Sequence, residues 1–211
     1  SSVELSSSIT SIGDYAFHSN NLTSFILPEG LLHIGGVVFG NNPITQLDLP
    51  STLETLGLEP FGHMYECTDI FVSEDNPYFT SVDGVLFSKD ETSLITYPIG
   101  KTETKYEIPV GTINIVDNAF GANRNLYEVV LPTTLTTIQS EAFISAINLE
   151  YIVIPESVTL IEGRVFANAF NLNIFAEAST KPSGWAENWN SHDEGGEASV
   201  IWGYTTILSS D

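Results

Sequence analysis

One short phrase recurs along this chain: "ITSIGDYAF" (9–17), "LLHIGGVVF" (31–39), "LTTIQSEAF" (135–143) and "VTLIEGRVF" (158–166). Its closing residue falls at Phe17, Phe39, Phe61, Phe120, Phe143 and Phe166, in steps of 22, 22, 59, 23 and 23. Five residues ahead of each stands Ile12, Ile34, Leu56, Ile115, Ile138 or Ile161. Pro28, Pro50, Pro109, Pro132 and Pro155 march in the same steps. Three columns on one period make stacked coils the expectation, because a unit this short cannot bury its own apolar face and stacking buries it in a continuous core.

Between the Phe and the Pro lies a second phrase: "LTSFILP" (22–28), "ITQLDLP" (44–50), "LYEVVLP" (126–132) and "LEYIVIP" (149–155). The alternation at its end predicts a short strand with one face inward, and the Pro stops it by removing a ladder donor. Asn21, Asn125, Asn148 and Asn171 precede strands, where an amide side chain satisfies backbone groups of a tight bend. The step of 59 divides into 23 plus 36. "CTDIFV" (67–72) repeats the strand phrase with Cys67 as a small core residue, and "VDGVLF", "KDETS" and "LITYP" within 73–98 read as a hairpin. At "NLNIFAEA" (171–178) the strand pattern fails, with Glu177 where an aliphatic is due. The tail beyond it holds Trp185, Trp189 and Trp202 and reads as a cap over an exposed strand edge. The expected fold is a single right-handed solenoid over 1–211, with one strand per regular coil, a mostly parallel sheet, and short or helical turns opposite. Regular coils fill 1–66 and 109–178, an irregular repeat with a hairpin fills 67–108, and the C-terminal cap fills 179–211.

These features together resemble the BspA-like branch of leucine-rich repeats. The likeness rests on "LTSFILPEGLLHIGGVVF" and "LPTTLTTIQSEAF". The insert "DNPYFTSVDGVLFSKDETSLITYPIGKTETKYEIP" is similar to an irregular repeat common in that family, and "EASTKPSGWAENWN…VIWGY" is similar to a terminal element found there. It covers about Ile9 to Leu208 and includes no catalytic motif. The resemblance implies a bacterial protein, surface-displayed or secreted, that serves adhesion or other protein contacts. The chain departs from the family in its acidity and in lacking the Cys that often follows the Phe column.

Charge narrows the partners. Asp and Glu number 27 against six Lys plus Arg, a formal charge of -21. Such a field repels phosphate backbones and anionic lipid, which excludes nucleic acid, and no run of 18 apolar residues exists to insert into a membrane. The chain opens on "SSVELSSS", so any targeting signal is expected outside it. No zinc pattern, phosphate-binding Gly loop or relayed triad is present, so no cofactor, metal or catalytic residue is assigned. "SHDEGGE" (191–197) reads as a solvated loop, with calcium binding as the alternative.

What remains is a face. In each strand phrase the third and fifth residues point outward: Ser24, Gln46, Asp69, Glu128 and Tyr151 in one column, and Ile26, Asp48, Phe71, Val130 and Val153 in the other. So apolar an outward column is expected to be either a contact patch for a protein ligand, host or surface, or a row of β-branched neighbours that only stabilise strands. On the first reading Phe71 is its anchor, with Asp69 and Glu128 selecting a basic rim on the partner. The alternative function is glycan binding, with Trp185, Trp189 or Trp202 as stacking platforms.

Overall fold

In the computed structural model, which describes residues 2–193 and 195–205, the strand phrase forms a strand in every coil. This series comprises β1 (Ser2–Glu4), β3 (Ser24–Ile26), β5 (Gln46–Leu49), β7 (Asp69–Val72), β11 (Lys105–Glu107), β13 (Glu128–Val130), β15 (Tyr151–Ile154), β17 (Asn173–Ala176) and β18 (Ser199–Trp202). The opening phrase supplies a second strand, only two residues long: β2 (Ser11–Ile12), β4 (His33–Ile34), β6 (Thr55–Leu56), β12 (Asn114–Ile115), β14 (Thr137–Ile138) and β16 (Leu160–Ile161). Regular coils therefore carry two strands rather than the expected one. Two residues are too few for alternation to show in the sequence, yet equivalent residues of successive coils pair in register, as Ile115 with Ile138 and Ile138 with Ile161. The fold is a parallel β-solenoid. No helix occurs among the described residues, so the turns are not helical and nothing there is long and apolar enough to cross a membrane.

The Phe turns add a third ladder. Phe17 N–H donates to Val38 O (3.0 Å), Phe120 to Ala142 O (2.8 Å) and Phe143 to Val165 O (2.8 Å). Two residues before the Phe, Tyr15, Val37, Glu59, Asn118, Glu141 and Arg164 have positive φ, and two residues after it so do Ser19, Asn41, His63, Ala122, Ser145 and Asn168. None is glycine, although each left-handed residue costs about 1 kcal/mol. The reversed φ aims peptide groups along the stack, where the next coil accepts them. The Asn ladder also spans coils instead of serving its own bend: Asn125 Nδ2 donates to Lys101 O (2.7 Å) and Asn148 Nδ2 to Arg124 O (2.6 Å).

The irregular repeat is a double hairpin of β8 (Phe79–Val82), β9 (Val85–Ser88) and β10 (Ser93–Thr96), antiparallel throughout, with β10 passing into the short-strand sheet beside β12. β9 is buried on both faces. Leu86 packs with the N-terminal core and Val85 and Phe87 with the C-terminal one. Cys67 is buried as expected, and burial pushes its thiol up to about 12.

The Phe column itself continues through residues of other types. Tyr97 stands 23 ahead of Phe120 and stacks on it at 5.3 Å. Its hydroxyl is buried without a hydrogen-bond partner among the described residues. Replacing that hydroxyl by hydrogen removes an unmet desolvation cost, so Tyr97→Phe should raise stability by about 1 kcal/mol. A loss in urea denaturation would mean that the hydroxyl is satisfied in solution.

The tail, expected as a cap, continues the strand series. β17 is a regular strand whose preceding stretch is one residue short, so that Ile174 pairs with Ile152 and Glu177 falls at the Pro place. β18 then pairs in parallel with β17, Ser199 to Asn173 and Trp202 to Ala176. Trp189 takes the next place in the Phe column, 23 beyond Phe166 and 5.9 Å from its ring, edge to face. The described part of 179–211 thus builds another coil on the stack. Residues 206–211 of the expected cap, and Glu194 of the acidic loop, lie outside the described residues.

Candidate protein-binding face

The long strands alternate strictly. Phe25, Leu47, Ile70, Val129, Ile152 and Ile174 face the core, so the residues on either side must face out. Ile26 is 73% exposed, Phe71 42% and Tyr151 41%, while Asp48 and Val130 are exposed and Asp69, Glu128 and Val153 half-buried. Phe71 is therefore not roofed by the 73–98 insert.

The eight residues do not form one column. The turn of the first insert hairpin, Asp83–Gly84, stands beside β7 at the break between the two halves of the face. Ile70 N–H donates to Gly84 O (2.9 Å) and Ser81 Oγ to Ile70 O (2.7 Å). Gly84 has φ +76°, and a Cβ there would overlap the Asp69 carboxylate, so a substitution would be strained and would displace Asp69. No strand pairing joins β7 to β11, and the sheet resumes at β11. One patch carries Ile26, Asp48 and Phe71. The other carries Glu128, Val130, Tyr151 and Val153, extended by residues that the strand phrase does not reveal: Lys105, Glu107, Phe175 and Ile201. Val153 pairs with Phe175 and Phe175 with Ile201. The one-residue shortening before β17 hides Phe175 from the repeat pattern. The step of 23 to Trp189 is the sequence signal for a further coil.

The carboxylates expected on the rim are already engaged. Asp69 accepts Thr68 Oγ1 (2.8 Å) and lies 3.6 Å from the nearly buried Lys101 Nζ, which also meets Glu103 at 3.7 Å. Glu128 pairs with Lys105 at 3.3 Å, and Glu107 lies on the same ammonium at 2.9 Å. Hydrogen bonds to Glu107 and then Glu128 raise the Lys105 pKa, and the bond to Glu128 holds the Tyr151 phenol above its usual range. Asp48, directly opposite Phe71 in the register, meets only the Gln46 amide among the described residues, 2.9 Å away.

The tryptophans offer less than a glycan platform needs. Trp185 and Trp189 are buried, 4.7 Å apart edge to face, and Trp185 Nε1 donates to Val158 O (3.0 Å). Only Trp202 is half-exposed. In the acidic loop, Asp193 is held by Arg164 (2.7 Å) and by Asn168 Nδ2 (2.8 Å).

A second acidic region lies at the turns. Burial raises the Glu59 pKa, the Glu141 and Asp117 carboxylates raise it further, and His63 opposes them. Burial likewise raises Asp117, with Glu162 and Glu141 adding to it. A carboxyl raised in the folded state favours folding most below its unfolded pKa, and that benefit is lost as pH climbs through the folded value. The melting temperature should therefore rise as pH falls from neutrality toward the ordinary carboxylate range. Glu59→Gln should raise it at the higher pH and flatten the profile. A profile that falls with acidification would show that carboxylates stabilised as anions outweigh this pair.

Comparison with known proteins places this geometry in a family. A family model described as a BspA type leucine rich repeat region matches in six copies over residues 1–105 and 102–173. Among solved structures the chain is similar to a leucine-rich repeat protein from Eubacterium ventriosum, at 26% identity over 86% of this chain and 55% of that one, with a TM-score of 0.75. The pneumococcal vaccine antigen PcpA shares the fold at 22% identity over 93% of this chain and 64% of that one (TM-score 0.54). So does a leucine rich cell surface protein from Faecalibacterium prausnitzii, at 22% identity over 87% of this chain and 61% of that one (TM-score 0.56). The chain spans between 55% and 64% of these structures' lengths. No curated protein matches it.

Proposed function

We propose, from the premise that this chain belongs to the BspA-type leucine-rich repeat family, that it is a non-catalytic protein-binding module, displayed on a bacterial surface or secreted. Its contact face is the outward side of the long strands, and residues 1–211 act in it as one domain. Family membership fits a protein-binding or adhesive role. The cell-surface description of the Faecalibacterium relative supports the location. The observation that carries the reading is the exposure of Ile26, Phe71, Val130 and Ile201 on one side of the strands, where solvation alone would favour polar side chains.

The test is capture on an array of extracellular-matrix and bacterial surface proteins. A face variant carrying Ile26→Ser, Phe71→Ser, Val130→Ser and Ile201→Ser should lose binding by at least about tenfold. A control with Leu58→Ser and Leu160→Ser, both exposed on the short-strand side, should keep it. Equal loss in both, or loss in the control alone, removes the assignment of the face.

A further inference from the structure

The first 88 residues contain eleven carboxylates and no Lys or Arg. The six cations of the chain all lie beyond them, and each has a local role. Lys101, Lys105, Arg164 and Lys181 are in ion pairs. Lys89 Nζ donates to Glu74 O (3.1 Å), and Arg124 lies 5.8 Å from the Tyr65 ring centre. None reaches Asp48. That carboxylate sits between two exposed apolar groups, with Phe71 opposite it on β7 and Ile26 at the equivalent place on β3. Beside it runs a groove lined by Leu27, Glu29, Asp48, Leu49, Phe71 and Val72. The Gln46 amide orients the Asp48 carboxylate without neutralising it.

We infer that this groove takes a basic segment of a partner protein, with an arginine laid over the Phe71 ring and paired to Asp48; this rests on the binding-face reading and names the partner's chemistry. A guanidinium matches a carboxylate with paired donors and stacks on an aromatic face, so one side chain satisfies both groups at once. Aliphatic neighbours of that arginine would cover Ile26 and Val72. A second copy of this chain is the wrong occupant, since it would bring a net charge of the same sign, with six cations against 27 carboxylates. The C-terminal patch differs, because there Lys105 already lies on Glu107 and Glu128.

The probe is a synthetic peptide alternating Arg and Val over about ten residues, titrated into the intact chain and followed by amide NMR shifts. A twin with citrulline for Arg has nearly the same shape without the charge. Shifts should concentrate on β3, β5 and β7. Asp48→Asn, Phe71→Ala and Phe71→Leu should each weaken binding by at least about tenfold, the last because leucine keeps bulk but loses the ring face. Glu54→Gln, an exposed carboxylate on the short-strand side, should leave binding unchanged. The inference is overturned if the citrulline peptide binds as well, if Glu54→Gln weakens binding as much as Asp48→Asn, or if shifts fall on β13 and β15 instead. None of these results touches the array experiment. The binding-face reading fails if the four-site face variant still captures its partner or if the control loses capture as much as that variant.

Discussion

Phe143→Ala should destabilise the protein by about 3–5 kcal/mol, the upper range for a large core truncation. The ring is fully buried between Phe120, stacked at 4.8 Å, and Phe166 at 5.4 Å. A cavity costs most where its walls cannot close, and here they are held open. The coils on either side are tied by strand pairing in both sheets and by the turn bonds, at about 4.8 Å per strand. Phe17, half-buried in the first coil with a phenyl neighbour on one side of the stack only, provides the comparison and should cost less than half as much. Urea unfolding measures both. A Phe143 loss below about 1 kcal/mol would mean that the stack contracts around the void.

Asn76→Ala should cost a comparable 3–5 kcal/mol, at roughly 1–3 kcal/mol for each buried group left without a partner. The side chain is fully buried and uses its whole bonding capacity. Nδ2 donates to Pro50 O and Leu53 O, both at 2.9 Å, while Oδ1 accepts from the Tyr78 and Phe79 amides, both at 2.8 Å. It thus pins the start of the double hairpin to the preceding coil. Asn76→Asp should be no better, because a carboxylate keeps the two acceptor bonds but cannot donate to the carbonyls and buries a charge. A loosened insert should also be cut sooner by trypsin at Lys89, the only Lys or Arg within 73–98. Unchanged stability together with unchanged cleavage would show that the insert is held by its own β9 core contacts alone.

The stacking and its period are legible because they are written into every coil. Ile34, Phe39 and Pro50 recur as Ile138, Phe143 and Pro155, since each coil buries the same positions against its neighbours. The inward and outward sides of the long strands follow from alternation alone, which suffices to put Ile26 and Phe71 on the outward side. The left-handed residues are hidden for the opposite reason. Val37, Glu141 and Arg164 carry no glycine-like signature, because the hydrogen bonds that offset their strain come from the next coil and not from their own side chains. The division of the face is equally out of reach: Gly84 meets Asp69 only through the path of the insert, a contact that no period encodes. So too with charge. The sequence shows a surplus of carboxylates, but which of them lose their negative field to Lys101 or Lys105, and that Asp48 keeps its own, is decided through space. A repeat determines by itself only what each coil shares with its neighbours. Chance proximities between unlike coils belong to the folded chain, because Coulomb and hydrogen-bond energies depend on distances that the period leaves free.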